Sequence, residues 1–363
     1  MGIIQILKSR ELFRLRKYRI YQGLWQDYTK RPVKMNFFKI WSIHRKGFLI
    51  SDWALMGLNN DNYKRYLSSK QYNKYHPING YYSKIIDDKT VIKYVVNGTD
   101  CAQYMPDYYF LIDEDGFVCP MMDYKAEGRK YMPADVRLLL EEKGKLAIKM
   151  ATGSIGQGFY KAEYRDGKYY INAEERSKEQ LESLISRLKN YIISEYLVPH
   201  PDLAAVWPDT PNTMRYLVGK KNGEFRMIKA YIRFGSKKSG VVENFNNGGI
   251  MCYLNEDGYY RGGYVINRSG GGLKADFVMN HPDTGRELVG RIPLWEELVK
   301  AVQGMEKLLP MTKYLGFDFV ITNKNEVKIL EINSLTSLDT MQADGSILET
   351  ENGKWFFEDL KEM

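Results

Sequence analysis

The stretch EVKILEIN, residues 326–333, sets Glu331 and Asn333 in the second half of an otherwise apolar strand. Strand side chains alternate faces, so Ile329, Glu331 and Asn333 are expected on one side and Lys328, Leu330 and Ile332 on the other. A carboxylate among apolar residues is either a salt-bridged structural group or part of a site. The preceding stretch GFDFVIT adds a second acid, Asp318. With a two-residue turn at Lys324 and Asn325, Asp318 lies directly across from Glu331, their Cβ atoms about 4.5–5.5 Å apart. Like charges that close repel unless something positive sits between them. Two carboxylates and the Asn333 carbonyl oxygen suit Mg²⁺, which takes oxygen ligands and binds through one or two carboxylates plus substrate phosphates. The competing reading pairs Glu331 with a Lys or Arg of another strand, or keeps one carboxyl protonated.

A second candidate is KMATGSIGQGF, residues 149–159, with glycines at 153, 156 and 158. The order G-x-x-G-x-G matches neither the P-loop nor the dinucleotide fingerprint, and it leads into a strand. A glycine loop between strands can fold over nucleotide phosphates with its backbone N–H groups, and Lys149 just before it supplies a point charge. The plain alternative is a glycine-rich hairpin with a solvated lysine. No Cys/His or Ser/His/Asp pattern stands out, so no protein nucleophile is expected. His200, in VPHPD, reads as a loop histidine.

The elements that must position these groups follow from periodicity. Residues 1–75 read as a basic helical region, and 76–145 as a preceding α/β unit. In that unit TVIKYVV, YYFLI and FVCPM are expected strands, DEDG a hairpin turn, and residues 135–145 a helix stopped by Gly144. A βαβ-rich region is expected next, over 146–200. Its helix begins at the Ser177/Gln180 capping box and carries Leu181, Leu184, Ile185 and Leu188 on one stripe. Residues 201–345 hold the strands TMRYLVG and RMIKAYIRF around a KKNGE turn, then a tract with ten glycines between 235 and 272, expected as surface or functional loop. A helix marked by Trp295, Leu298, Val302 and Met305 precedes the final hairpin, and residues 346–363 form a tail.

The 363 residues suffice for several domains, and 44% hydrophobic with 27% charged residues describes a globular chain. Three widely spaced cysteines fit a reducing compartment and exclude a cysteine metal site. The first fifteen residues lack the continuous apolar run of a signal peptide, and no run is long enough to span a bilayer. A cytoplasmic protein is expected. The net charge of +8 is concentrated at the start: residues 1–50 hold twelve Lys/Arg against Glu11 and Asp27. That is a solvated helical face or a means of attraction to an anionic membrane, with Trp25, Phe37, Phe38 and Trp41 interleaved among the charges. No nucleic-acid motif is present, and no nucleic-acid partner is expected.

Order and spacing together resemble the ATP-grasp superfamily over residues 80–342. A strand lysine, a glycine loop, a helix into a strand with Glu195, a late strand Asp and an E-x-N strand carry the resemblance. It implies an α+β fold in which two subdomains clamp ATP, here with a helical N-terminal extension. By the same resemblance Asp318, Glu331 and Asn333 hold Mg²⁺. Lys149 is then the nucleotide lysine, and the loop with Gly153, Ser154, Gly156 and Gly158 is the phosphate lid. Glu195, Tyr196, Leu197 and Val198 face adenine and ribose. Lys89, with Lys93 as competitor, stands for the earlier nucleotide lysine.

HPDLAAVWPDTPNTMR, VVENFNNGGI, HPDTG and GFDFVIT with EIN look more particularly like the subgroup associated with cell-surface polysaccharide biosynthesis. That likeness implies that Arg215 contacts the γ-phosphate or acyl phosphate and that Asn244 and Asn247 shape a catalytic loop. Lys149-Met150 departs from the Lys-Pro of many relatives.

The expected activity is ATP-dependent ligation of a carboxylate to an amine through an acyl phosphate, with ATP and Mg²⁺ as cofactors. The expected partners are small-molecule or sugar-linked carboxylates and amines, with peripheral association to membrane or glycosyltransferases. A kinase of a sugar or other small hydroxyl compound, and a nucleotide-binding scaffold without turnover, are the alternatives.

Overall fold

The computed structural model of the chain describes residues 16–152, 158–240 and 242–358. The first run of strands is β1 (Tyr108–Ile112), β2 (Val118–Pro120), β3 (Lys145–Met150), β4 (Tyr160–Arg165), β5 (Lys168–Ile171), β6 (Glu174–Arg176) and β7 (Tyr191–Glu195). They form one sheet in the order β2-β1-β7-β3-β4-β5-β6, with antiparallel neighbours throughout. The Asp113 carboxylate closes the β1–β2 turn by accepting from Asp115 N and Phe117 N, and Gly116 takes the left-handed φ of 94° that ends it. Helices Pro133–Lys143 and Lys178–Ser186 cover one face, where Val136, Leu140, Leu181 and Ile185 pack against Phe110, Ile148 and Ile193. The second helix starts at the expected Ser177/Gln180 capping box.

The second run is β8 (Met214–Lys221), β9 (Glu224–Phe234), β10 (Ile250–Leu254), β11 (Tyr259–Arg261), β12 (Gly263–Asn267), β13 (Lys274–Val278), β14 (Val289–Arg291), β15 (Tyr314–Ile321) and β16 (Val327–Asn333). Seven of these make an antiparallel sheet ordered β13-β12-β10-β9-β8-β15-β16, and β11 pairs with β14. Asn222 and Gly223, both at positive φ, form the tight turn between β8 and β9. One face of this sheet packs on the helix Trp295–Leu308 and on Tyr108 and Ile192 of the first sheet. The other face is covered by the N-terminal helices Phe37–Arg45, Ile50–Leu55 and Ser69–Tyr75 and by the C-terminal helix Glu351–Phe357.

Five expectations are corrected. TVIKYVV is a helix, Lys89–Val96, because Asp88 caps it by accepting from Thr90 N and Val91 N while Ile92 and Val96 turn inward at helical spacing. The region after residue 145 contains no parallel βαβ pairing among the described residues: β7 returns antiparallel to β3 after the β4–β6 meander. The boundary drawn at 145/146 falls inside a single sheet, since β1 lies beside β7. The glycine-rich tract carries β10, β11 and β12, and several glycines there lie under rings, Gly258 against Trp295 and Gly262 against Phe277. The tail is a packed helix whose Phe356 and Phe357 are buried.

Candidate active site

The final hairpin does bring Asp318 opposite Glu331, by a route that the sequence conceals. The turn is one residue longer than expected: Thr322 N donates to Glu326 O and Asn325 N to Thr322 O, with Asn325 left-handed at φ 58°. That shift alone would set Asp318 against Leu330. A β-bulge between the Asp318 and Phe319 pairs leaves Leu330 as an extra residue and restores the register. The bulge also breaks the simple alternation of faces. Ile329 and Ile332 both join the core with Phe317 and Phe319, so Ile329 does not share the side of Glu331.

The carboxylates are held by cations. Asp318 is almost fully buried and takes a bidentate contact from Arg215, Nε to Oδ1 at 2.6 Å and a terminal nitrogen to Oδ2 at 2.8 Å. Arg233 approaches the same Oδ1 at 3.2 Å. Burial alone would raise the Asp318 carboxyl, but Arg215 and then Arg233 hold it well below the usual carboxylate range. Glu331 pairs with Lys89 at 2.8 Å. The Asn333 amide lies between the acids, its Nδ2 3.4 Å from Asp318 Oδ2 and 3.2 Å from Glu331 Oε1.

Lys89 reaches Glu331 because its helix is pinned beside β16. The Asp87 carboxylate, two residues before Lys89, accepts from Ser334 N and Ser334 Oγ, each at 2.8 Å. Lys149, near the end of β3, sits 4.9 Å from the Tyr108 ring centre. Burial, and then the Lys89 ammonium, push the Lys149 amine down to about 7 against the pull of Glu331. Lys93 is engaged elsewhere, on Asp123 at 2.7 Å and Pro106 O at 2.9 Å.

The remaining expected residues make other contacts. Arg215 spends three N–H donors on Asp318 and Thr336, so in this state it is the partner of the acid. Asn244 caps a short turn by accepting from Asn246 N. Asn247 is exposed, and the loop closes where a Cβ on Gly249 would lie 2.3 Å from Glu243 O. Residues 195–200 link the two sheets: Glu195 pairs with Lys324, Asn323 N donates to Val198 O, and His200 N to Ile321 O. His200 is a loop residue that accepts from Asp202 N. Gly153, Ser154 and Gly156 lie outside the described residues. Gly158 is left-handed at φ 69°, where a Cβ would meet the Tyr191 hydroxyl.

Sequence reasoning missed Arg233 and Tyr108. Among the described residues the buried Arg233 Nε and Tyr108 hydroxyl have no hydrogen-bond partner. The signal for Arg233 was available: it is a cation inside the apolar strand RMIKAYIRF, the same anomaly that drew attention to Glu331.

Among the described residues no three His, Cys, Asp or Glu side chains cluster as a metal centre. The donors on hand are two carboxylates and one carboxamide. Turning the Asn333 amide over places its oxygen where Nδ2 now lies and frees a lone pair on each acid. The set then fits a hard divalent cation.

A family model described as sugar-transfer associated ATP-grasp matches residues 67–352. The chain belongs to this family. No curated protein matches it. D-alanyl-alanine synthetase A from Vibrio cholerae aligns at 11% identity over 76% of this chain and 65% of that one, with a TM-score of 0.43. N5-carboxyaminoimidazole synthetase from Staphylococcus aureus, complexed with ADP, aligns at 10% identity over 74% and 52%, with a TM-score of 0.39. L-amino acid ligase from Bacillus licheniformis aligns at 10% over 77% and 48%, also at 0.39. The ATP-grasp chain described above thus spans between about half and two thirds of these structures.

Proposed function

We propose that this ATP-grasp chain is a cytoplasmic ATP-dependent carboxylate–amine ligase acting in cell-surface polysaccharide biosynthesis. The observation that carries the chemistry is the convergence of Asp318, Glu331 and Asn333 with Lys89, Lys149, Arg215 and Arg233. Phosphoryl transfer needs little more than positioning and electrostatic stabilisation, and this cluster supplies both. The polysaccharide role goes beyond the family description, which associates these proteins with sugar transfer.

On this reading Asp318, Glu331 and Asn333 would hold Mg²⁺, which would supply positive charge to the phosphates. Lys89 and Lys149 receive phosphate oxygens, and burial makes the Lys149 proton easier to lose than that of an ordinary lysine. Arg215 and Arg233 fix Asp318 and add charge where the transferring phosphoryl group develops it. Residues 195–198 border the base and ribose. A carboxylate oxygen of the substrate attacks the γ-phosphorus as the bond to ADP breaks. The amine then attacks the acyl carbon, phosphate leaves with its oxygen, and the amine proton passes to solvent. Asn244 and Asn247 shape the loop beside that second step.

Incubation with ATP, Mg²⁺, candidate carboxylates and hydroxylamine tests the reading. A hydroxamate formed together with ADP is expected; ADP release with a phosphorylated hydroxyl product would make the protein a kinase. Glu331→Gln should lower turnover by roughly a hundredfold or more, the scale of losing one charged group at a phosphoryl-transfer centre. Unchanged rates in that variant would remove Glu331 from the site.

A further inference from the structure

The N-terminal helices carry a surface that the proposed reaction does not use. Along Arg16–Thr29, Tyr21 and Trp25 lie one turn apart and are 64% and 70% exposed. Along Phe37–Arg45, Phe37, Phe38 and Trp41 are 61%, 79% and 48% exposed. The two stripes meet where the Tyr28 and Phe37 rings stand 5.5 Å apart, and Phe37 continues to Phe38 at 6.0 Å. They form one aromatic patch.

Its charge is of one sign. Lys30, Arg31, Lys34, Lys39 and Arg45 are exposed around the rings, and Arg45 lies over Trp41 at 4.7 Å. The single acid between residues 20 and 46, Asp27, is buried, where it takes His44 at 2.8 Å and Ile50 N at 2.9 Å. The helices are fixed from beneath, with Ile40 and Ile43 buried in the core that reaches the second sheet. The exposed rings are therefore held outward by a packed inner face.

We propose that this face docks on an anionic lipid bilayer. A second copy of the chain would bring five further cations against these five, and like charges at short range repel. Tryptophan beside Lys and Arg matches the bilayer interface, where rings sit at headgroup depth and ammonium and guanidinium groups meet lipid phosphates. No described helix is long and apolar enough to cross a membrane.

Co-sedimentation of the full chain with phosphatidylglycerol–phosphatidylcholine vesicles tests this without reference to the ATP site. At about 0.1 M salt the protein should pellet with these vesicles at least ~10-fold more than with pure phosphatidylcholine, and about 1 M salt should release it. The triple variant Trp25→Ser, Phe38→Ser, Trp41→Ser should lose at least ~10-fold in binding, and so should Lys30→Gln, Lys34→Gln, Lys39→Gln, both keeping the wild-type circular dichroism. Wild-type protein left in the supernatant overturns the proposal, whether another copy or the chain's own first residues cover the patch. Binding that depends on the cations but survives loss of the aromatics also overturns it, as bare charge attraction. So does a dimer formed without vesicles that the aromatic variant dissolves.

Discussion

Lys149 shows how a single residue here is tuned by its neighbours. Its ammonium is disfavoured by burial and by Lys89, which leaves the amine near pH 7 instead of well above it. On the proposed reading a nucleotide binds the protonated form, so in the free protein the favourable charge is present below about pH 7 and lost as pH rises through it. Nucleotide affinity should therefore fall by up to about tenfold per pH unit above 7, with a proton taken up on binding. Titration calorimetry in buffers of different ionisation enthalpy reads that proton directly; affinity flat from pH 6 to 9 would place Lys149 outside the phosphate site. The two acids differ in their surroundings. Asp318 is buried under two guanidinium groups, whereas Glu331 meets one ammonium near the surface of the cluster.

At the scale of elements, the short capped helix Lys89–Val96 decides where Lys89 points. Asp88 holds its first turn and Asp87 ties it to Ser334 just beyond β16. Asp88→Ala should cost about 1 kcal/mol by chemical denaturation and raise the Michaelis constant for ATP more than it lowers the maximal rate. An unchanged Michaelis constant would mean that the cap is only structural. This helix was not legible in the sequence because TVIKYVV is rich in β-branched residues, and its cap lies two residues before the apolar run. The hairpin was legible in outcome and not in detail: a longer turn and a bulge offset each other, which residue alternation cannot reveal. Arg233 escaped notice although its strand was found, because a second register shift between β8 and β9 hides what it faces. The antiparallel β3–β7 pair reads as βαβ in the sequence because a helix between two strands looks the same whichever way the second one returns.

Across the whole molecule, the parts outside the Asp318–Glu331 cluster are built into its support. Tyr72 bonds Tyr314 at 2.8 Å and Thr336 O at 2.6 Å, Asn79 holds the Lys313–Tyr314 backbone, and Gln342 pairs with both backbone groups of Leu67. Phe357 from the last helix is fully buried in the same core. Phe357→Ala should destabilise the protein by about 3–5 kcal/mol, with the near-ultraviolet dichroism of the tyrosine-rich core changing in the same transition. A loss under about 1 kcal/mol would show that the C-terminal helix merely rests on the sheet.

The ion pairs that fill the cluster carry a kinetic implication. Glu331 already holds Lys89, and Asp318 already holds Arg215 and Arg233. A divalent ion arriving alone must evict a resident cation and then share a crowded space with it. An ion arriving on a polyphosphate brings the anions to which the evicted side chains can turn. On the proposed reading the protein enforces an order of arrival, admitting metal only as the metal–nucleotide complex. Calorimetry should register no binding of MgCl₂ to the free protein and clear binding once a non-hydrolysable ATP analogue is present. Tight uptake of Mg²⁺ by the free protein would contradict it.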